Sequence, residues 1–139
     1  MPEVVLADGE VASGLAAMMG TLLAQNVERA PRKFEDFRRV ESSVLIEVSD
    51  LDEAITMSFV GDRCTIHNGR RGRARVRITT DSETLMGLSQ LRIGPLGFPN
   101  YFDANGKAVL RAMSKGKLRI GGMHHIATLN RVTRLFSVV

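Results

Sequence analysis

Few residues in this chain have reactive chemistry to offer. One thiol, Cys64, stands three positions before His67 in "RCTIHN", a stretch whose alternation reads as a strand. Residues three apart on a strand face opposite sides, so these two make neither a catalytic dyad nor a metal pair. His124 and His125 are neighbours on a helical run and diverge by about 100 degrees. Only His125 falls near the apolar stripe, where a histidine bonded to backbone is the ordinary outcome. A zinc site needs three or four convergent ligands, which this spacing does not assemble. "GRRGRAR" lacks the Lys-Ser/Thr pair that a phosphate-cradling P-loop requires. The expectation is therefore no metal, no cofactor and no catalytic residue, and an enzyme is not favoured.

The strongest charge signal is the cluster Arg70, Arg71, Arg73, Arg75 and Arg77. Positions 73, 75 and 77 share one face of the predicted strand, so their guanidinium groups form a row. Arg71, Arg73, Arg75 and Arg77 are the candidates for meeting an anionic surface. Each basic residue near an anionic membrane adds roughly 1 kcal/mol, so the row suits transient membrane contact. It equally suits a solvated sheet face paired with glutamates. Nucleic acid is not an expected partner: the chain has no tryptophan and one tyrosine, and no aromatic is interleaved with the arginines to stack on bases.

These groups must be positioned by a chain of 139 residues, a length that suits one domain. An apolar share of 44% with 24% charged residues is ordinary for a globular protein, and a net charge of +4 permits anionic partners without demanding one. A single cysteine allows no internal disulfide and fits a reducing, cytoplasmic location. The apolar patch "GLAAMMGTLLA" is too short to span a bilayer, and acidic residues precede it where a secretory signal would be basic.

Residues 9–29 place Val11, Leu15, Met18, Met19, Leu22, Leu23 and Val27 at helical spacing, and Pro31 ends the run. "KFEDFRRVESS" reads as connector, so residues 1–39 form a helix and connector ahead of the main body, residues 40–139. The period then changes to two in "SVLIEVSD", "AITMSFV", "RCTIHN" and "RARVRITT". Short turns join these four strands, which predicts an antiparallel meander with one dry and one wet face. "TDSE" fits a capping box in which Thr80 starts a helix carrying Leu85, Met86, Leu88 and Leu91. A Gly/Pro-rich loop with Phe98, Tyr101 and Phe102 follows, then a helix through Ala108, Val109, Ala112 and Met113. "KLRI" makes a fifth strand, Gly121-Gly122 a turn, and Ile126, Leu129, Val132 and Phe136 the stripe of a last helix. The fold class is α+β: a five-stranded, mainly antiparallel sheet with helices packed on one face.

The segments "ARVRITTDSETLMGLSQL" and "AVLRAMSKGKLRIGG", with an amphipathic closing helix ending in Leu135-Phe136, resemble the sterol carrier protein type-two domain family. The family's Ala-x-Met-Ser-Gly-Lys-Leu-Lys-Ile segment corresponds here to a run from Met113 to Ile120 with one extra residue, Lys115, before the glycine. The resemblance covers about residues 44–136. It implies an apolar tunnel between sheet and helices that holds a fatty acyl chain, phospholipid or sterol. The loop at 93–104 looks longer and more aromatic than the usual connection, and residues 1–39 have no matched counterpart.

Seven methionines are many for this length, and methionine adapts to irregular or variable shapes. The candidate cavity residues are Met57, Phe59, Ile66, Met86, Leu91, Phe98, Phe102, Met113, Met123, Ile126 and Leu129. Sheltering a methylene is worth about 0.8 kcal/mol, so a chain of ~14 carbons gains on the order of 10 kcal/mol on entering such a channel. A bilayer offers nearly the same, so exchange between membrane and protein is close to balanced and needs no energy source. The loop "IGPLGFPNYF" is the candidate mouth. The alternative is a non-catalytic interaction domain with a filled interior, acting through its surface or as a homodimer.

Overall fold

The computed structural model describes residues 2–89, 107–108, 111–112, 114–116, 118–122 and 126–136, the side chains of 87–89 and 126 excepted. Its strands are β1 (Glu3–Leu6), β2 (Ser43–Val48), β3 (Glu53–Val60), β4 (Arg63–Asn68), β5 (Val76–Thr80) and β6 (Arg119–Gly121). Its helices are α1 (Gly14–Arg29), α2 (Lys33–Val40), α3 (Ser82–Ser89) and α4 (Ile126–Phe136). Residues 107–108, 111–112 and 114 are also helical, within the expected third helical run.

The architecture is α+β, but the described sheet has six strands and is mixed, in the order β1-β4-β3-β2-β5-β6. The expected four-strand meander holds only for β2, β3 and β4, which pair antiparallel. β5 does not continue it beside β4. It lies on the far side of β2, parallel to it, with Val44 opposite Val76 and Val48 opposite Thr80. Alternation encodes which face a side chain takes and is silent about the neighbouring strand. Crossing three inter-strand steps of about 4.8 Å needs about 14 Å, and the seven residues from 69 to 75 reach up to ~23 Å.

β1 was not anticipated. It pairs parallel with β4, Val4 opposite Cys64 and Leu6 opposite Ile66. Asn68 then fastens the chain that follows β1: its backbone N–H donates to Asp8 Oδ2 at 2.7 Å, and its Nδ2 donates to the Val11 carbonyl at 2.9 Å. Residues 9–11 form a tight 3-10 turn, so Val11 is 76% exposed and not part of the helical stripe. α1 begins instead after Ser13, whose hydroxyl accepts the Ala16 N–H at 3.1 Å and caps the helix.

The stretch read as connector contains α2. Phe34, Phe37 and Val40 recur every three residues among charged neighbours, and Phe37 meets Phe59 edge-to-face with ring centroids 5.3 Å apart. α3 also starts one residue later than expected. Asp81 Oδ1, not the Thr80 hydroxyl, accepts the Thr84 N–H at 2.8 Å, while Thr80 is buried at the end of β5.

One apolar core joins these elements. Val44, Ile46 and Val48, Ile55, Met57 and Phe59, Cys64 and Ile66, and Val76 and Ile78 occupy one sheet face, and α1 and α2 rest on it. Gly20 lets α1 come close to the β1–β4 pair: a Cβ there would lie 3.2 Å from Leu6 Cδ2 and 3.5 Å from Ile66 Cδ1. α4 packs against α1, α2 and α3. It is pinned by Asn26 Nδ2 donating to the Leu135 carbonyl at 3.1 Å and by Arg134 forking onto both Asp36 oxygens at 3.0 and 2.7 Å.

Candidate functional site

The predicted apolar candidates fall into three groups. Met57, Phe59 and Ile66 lie on the helix-covered face and are no more than 1% exposed, close-packed beneath α1 and α2. Leu129 is buried on α4, whereas Met86 on α3 is 53% exposed. Leu91, Phe98, Phe102, Met113 and Met123 lie outside the described residues, as do the side chain of Ile126, His124, His125 and the loop at 93–104.

Packing is graded across the core. Under α1 and α2 the large side chains Phe37, Leu23, Met57 and Phe59 are sealed to 0–1%. On β5, α3, the helical pair 111–112 and α4, Ile78, Leu85, Ala112, Leu129 and Phe136 keep 7–9%, while Val76 on β5 and Val132 and Leu135 on α4 are sealed to 0–2%. Ile120 on β6 is only partly buried. The large side chains under α1 and α2 are sealed, and those toward the C-terminal helices are mixed. Cys64 belongs to the sealed half, and burial pushes its thiol up to about 12. As expected, Cys64 and His67 sit on opposite faces: Cys64 is opposite Phe59, while His67 is opposite Thr56 on the outer face.

The arginine cluster is rearranged relative to expectation. The chain is not yet a strand at Arg73; β5 begins at Val76. Residues 69–75 run across the outer face of β3 and β2 as a strap. Thr56 is its central tie: the hydroxyl donates to the Gly69 carbonyl at 2.8 Å and accepts the Arg71 N–H at 2.9 Å. The Gly69 N–H donates to the Ala54 carbonyl at 2.7 Å, and the Arg75 N–H donates to the Ser43 carbonyl at 2.9 Å, fixing both ends. Beneath the strap lies a pocket of about 240 Å³ floored by Leu45 and Thr56 and walled by Arg70, Arg71, Arg73 and Arg77.

Three of the four predicted surface arginines thus meet at one pocket, and Arg75 stands exposed beside it. Glu47 is the carboxylate at the edge of this cluster; it pairs with Arg70 and lies 3.8 Å from Arg77 Nε. Arg71 and Arg73 have no carboxylate partner among the described residues. Leu45 and Thr56 were not foreseen, although "VLI" at 44–46 breaks the alternation of β2. An apolar residue on the wet face is the readable sign that something covers it.

No protein-family model matches the chain, and no curated protein sequence is detectably similar. Solved structures do match. One is a UbiJ-SCP2 ubiquinone synthesis protein, with TM-score 0.62 and 14% identity over 88% of this chain and 92% of that one. Another is the apo form of sterol carrier protein 2 from Yarrowia lipolytica, with TM-score 0.55 and 14% identity over 92% and 95%. A third is the stereoselective inverting sec-alkylsulfatase Pisa1 from Pseudomonas sp., with TM-score 0.61 and 13% identity over 92% of this chain. That match spans only 17% of the sulfatase chain. The fold is that of a sterol carrier protein 2 domain.

Proposed function

We propose that this chain is a lipid-carrier domain, holding a fatty acyl chain, a phospholipid or a sterol-like molecule in its interior without chemical change. The observation that carries this reading is the fold, which matches sterol carrier protein 2 and a UbiJ-SCP2 protein along nearly the whole chain. Beneath α1 and α2 the large core side chains are sealed to 0–1%, and the second half of the interior, toward Leu85, Ala112 and Leu129, is the proposed ligand side. A guest hydrocarbon belongs in that second half. Met57, Phe59 and Ile66 then back the site, and Leu129 lines it with Met86 at its rim. Leu91, Phe98, Phe102, Met113, Met123 and Ile126 are the further lining residues of this proposal, and the loop at 93–104 is its mouth.

The energetics favour a carrier. About 0.8 kcal/mol per sheltered methylene holds the ligand firmly against water, yet leaves its exchange with a bilayer nearly balanced. No helix among the described residues is long and apolar enough to cross a membrane; the delivery proposed is by transient contact. Native mass spectrometry of the purified protein, followed by displacement of a fluorescent acyl probe, tests the reading. A lipid-sized adduct and saturable probe uptake are expected. Protein that arrives empty and takes up no probe overturns it.

A further inference from the structure

The opposite face of the sheet carries the arginine-lined pocket, away from the apolar core. We propose that the pocket beneath the 69–75 strap binds a phosphomonoester dianion through the guanidinium groups of Arg71 and Arg73.

The charge count comes first. Four arginines line the pocket and Glu47 is the carboxylate that reaches two of them, Arg70 and Arg77, leaving a formal excess of three positive charges around a small space. A cluster of like charges this close is unfavourable by itself, and a multivalent anion relieves it. Arg70 and Arg77 are the two that Glu47 engages. Arg71 and Arg73 are exposed and, among the described residues, hold no anion.

Size and shape narrow the ligand. At about 240 Å³ the pocket lies below the roughly 300–1,000 Å³ of sites for drug-sized ligands, so it suits an oxyanion with a short ester arm. The planar guanidinium fork matches phosphate oxygens in pairs, which a point-charge ammonium does not. Leu45 gives the floor an apolar patch against which an ester carbon can rest. Pre-organisation comes from Thr56. By holding both the Gly69 carbonyl and the Arg71 N–H, it fixes the strap before any ligand arrives. Gly72, at φ +65, then turns the chain between the two arginines. Thr56 is a positioning residue, since its hydroxyl is already occupied.

The phosphomonoester has two sources, a soluble metabolite or the head group of phosphatidic acid, and one experiment separates them. Binding of sn-glycerol 3-phosphate is measured by calorimetry at low salt. Flotation is then measured with phosphatidylcholine vesicles doped with phosphatidic acid or, at matched charge, with phosphatidylglycerol. Glycerol 3-phosphate is expected to bind. Arg71→Gln and Arg73→Gln should each weaken it about tenfold or more, whereas Arg29→Gln, which removes equal charge on α1, should not. Thr56→Val should weaken it with every arginine present, and Thr56→Ser should restore it. If binding holds, preference for phosphatidic acid vesicles assigns the head group, and no preference assigns a soluble phosphomonoester. Absence of glycerol 3-phosphate binding, or an equal loss in Arg29→Gln, overturns the proposal. Because the acyl-probe assay reads the other face, the two sites stand or fall separately.

Discussion

Gly122 closes the sheet's C-terminal edge at a point where no side chain fits. Its φ is +82, and a Cβ built on it would lie 2.1 Å from the Arg75 carbonyl oxygen. A carbon–oxygen contact normally stays beyond about 3.3 Å, so Gly122→Ala forces a backbone shift of about 1 Å. No rotamer relieves it, because the obstacle is main chain. Arg75 cannot yield freely, since its N–H is bonded to Ser43 and Arg77 pairs with Gly121. The left-handed conformation alone costs alanine about 1–2 kcal/mol. Prising β6 from β5 forfeits two or so ladder bonds at about 1 kcal/mol each. Together the substitution should cost about 3–4 kcal/mol. Gly116→Ala is the matched control: its φ is +73, but nothing lies within 4 Å of the added carbon. It should cost only the conformational part, about 1–2 kcal/mol. Urea titrations of both variants against the parent give the difference directly. Equal losses, within about 0.5 kcal/mol, would refute the argument from close approach.

Three further outcomes are expected. Cys64, with its thiol pushed up to about 12 by burial, should resist iodoacetamide in the native protein at mildly alkaline pH and react only as fast as the core opens; rapid labelling would place it nearer the surface. The Asp50 carboxyl is held below its usual value by accepting the Ser82 O–H and N–H. The unfolded chain therefore takes up its proton first as pH falls, and this tie stabilises above about pH 4 and is lost below it. Asp50→Asn should accordingly show a shallower loss of urea midpoint than the parent between about pH 5 and pH 3. The fork between Arg134 and Asp36, partly buried between α4 and α2, should give a coupling of about 1–2 kcal/mol in a double-mutant cycle. A coupling near zero would mean that the ion pair adds nothing to the apolar packing and the Asn26–Leu135 hydrogen bond that also hold α4.

How much of this was readable depended on what each pattern encodes. β2, β3 and β4 were legible nearly to the residue, because alternation between wet and dry faces marks a strand and Gly61-Asp62 marks its hairpin. The partner of β5 was not, since Val76 and Ile78 would point inward equally well beside β4 or beside β2. β1 has only four residues, too few for a period to emerge. α2 was hidden by its own charge: Glu35, Asp36, Arg38 and Arg39 outnumber the Phe34, Phe37 and Val40 stripe that buries it. The cap of α3 went to Asp81 because Thr80 completes β5 and is buried there. At the candidate sites the arginines were evident as charge. Their convergence was not, because it depends on Thr56 and Leu45, which come from strands far earlier in the chain.

The pairing of β1 with β4 also shapes how the molecule is assembled. Glu3 meets Arg63 across sixty residues, whereas β2, β3 and β4 join through tight turns. The hairpins can therefore zip locally, while each contact across a long loop waits on slower closure. During synthesis β1 leaves the ribosome with no strand to receive it, and α1 emerges with Gly20 facing a surface not yet made. Completion of β4 supplies the strand that β1 pairs with and part of the surface on which α1 rests.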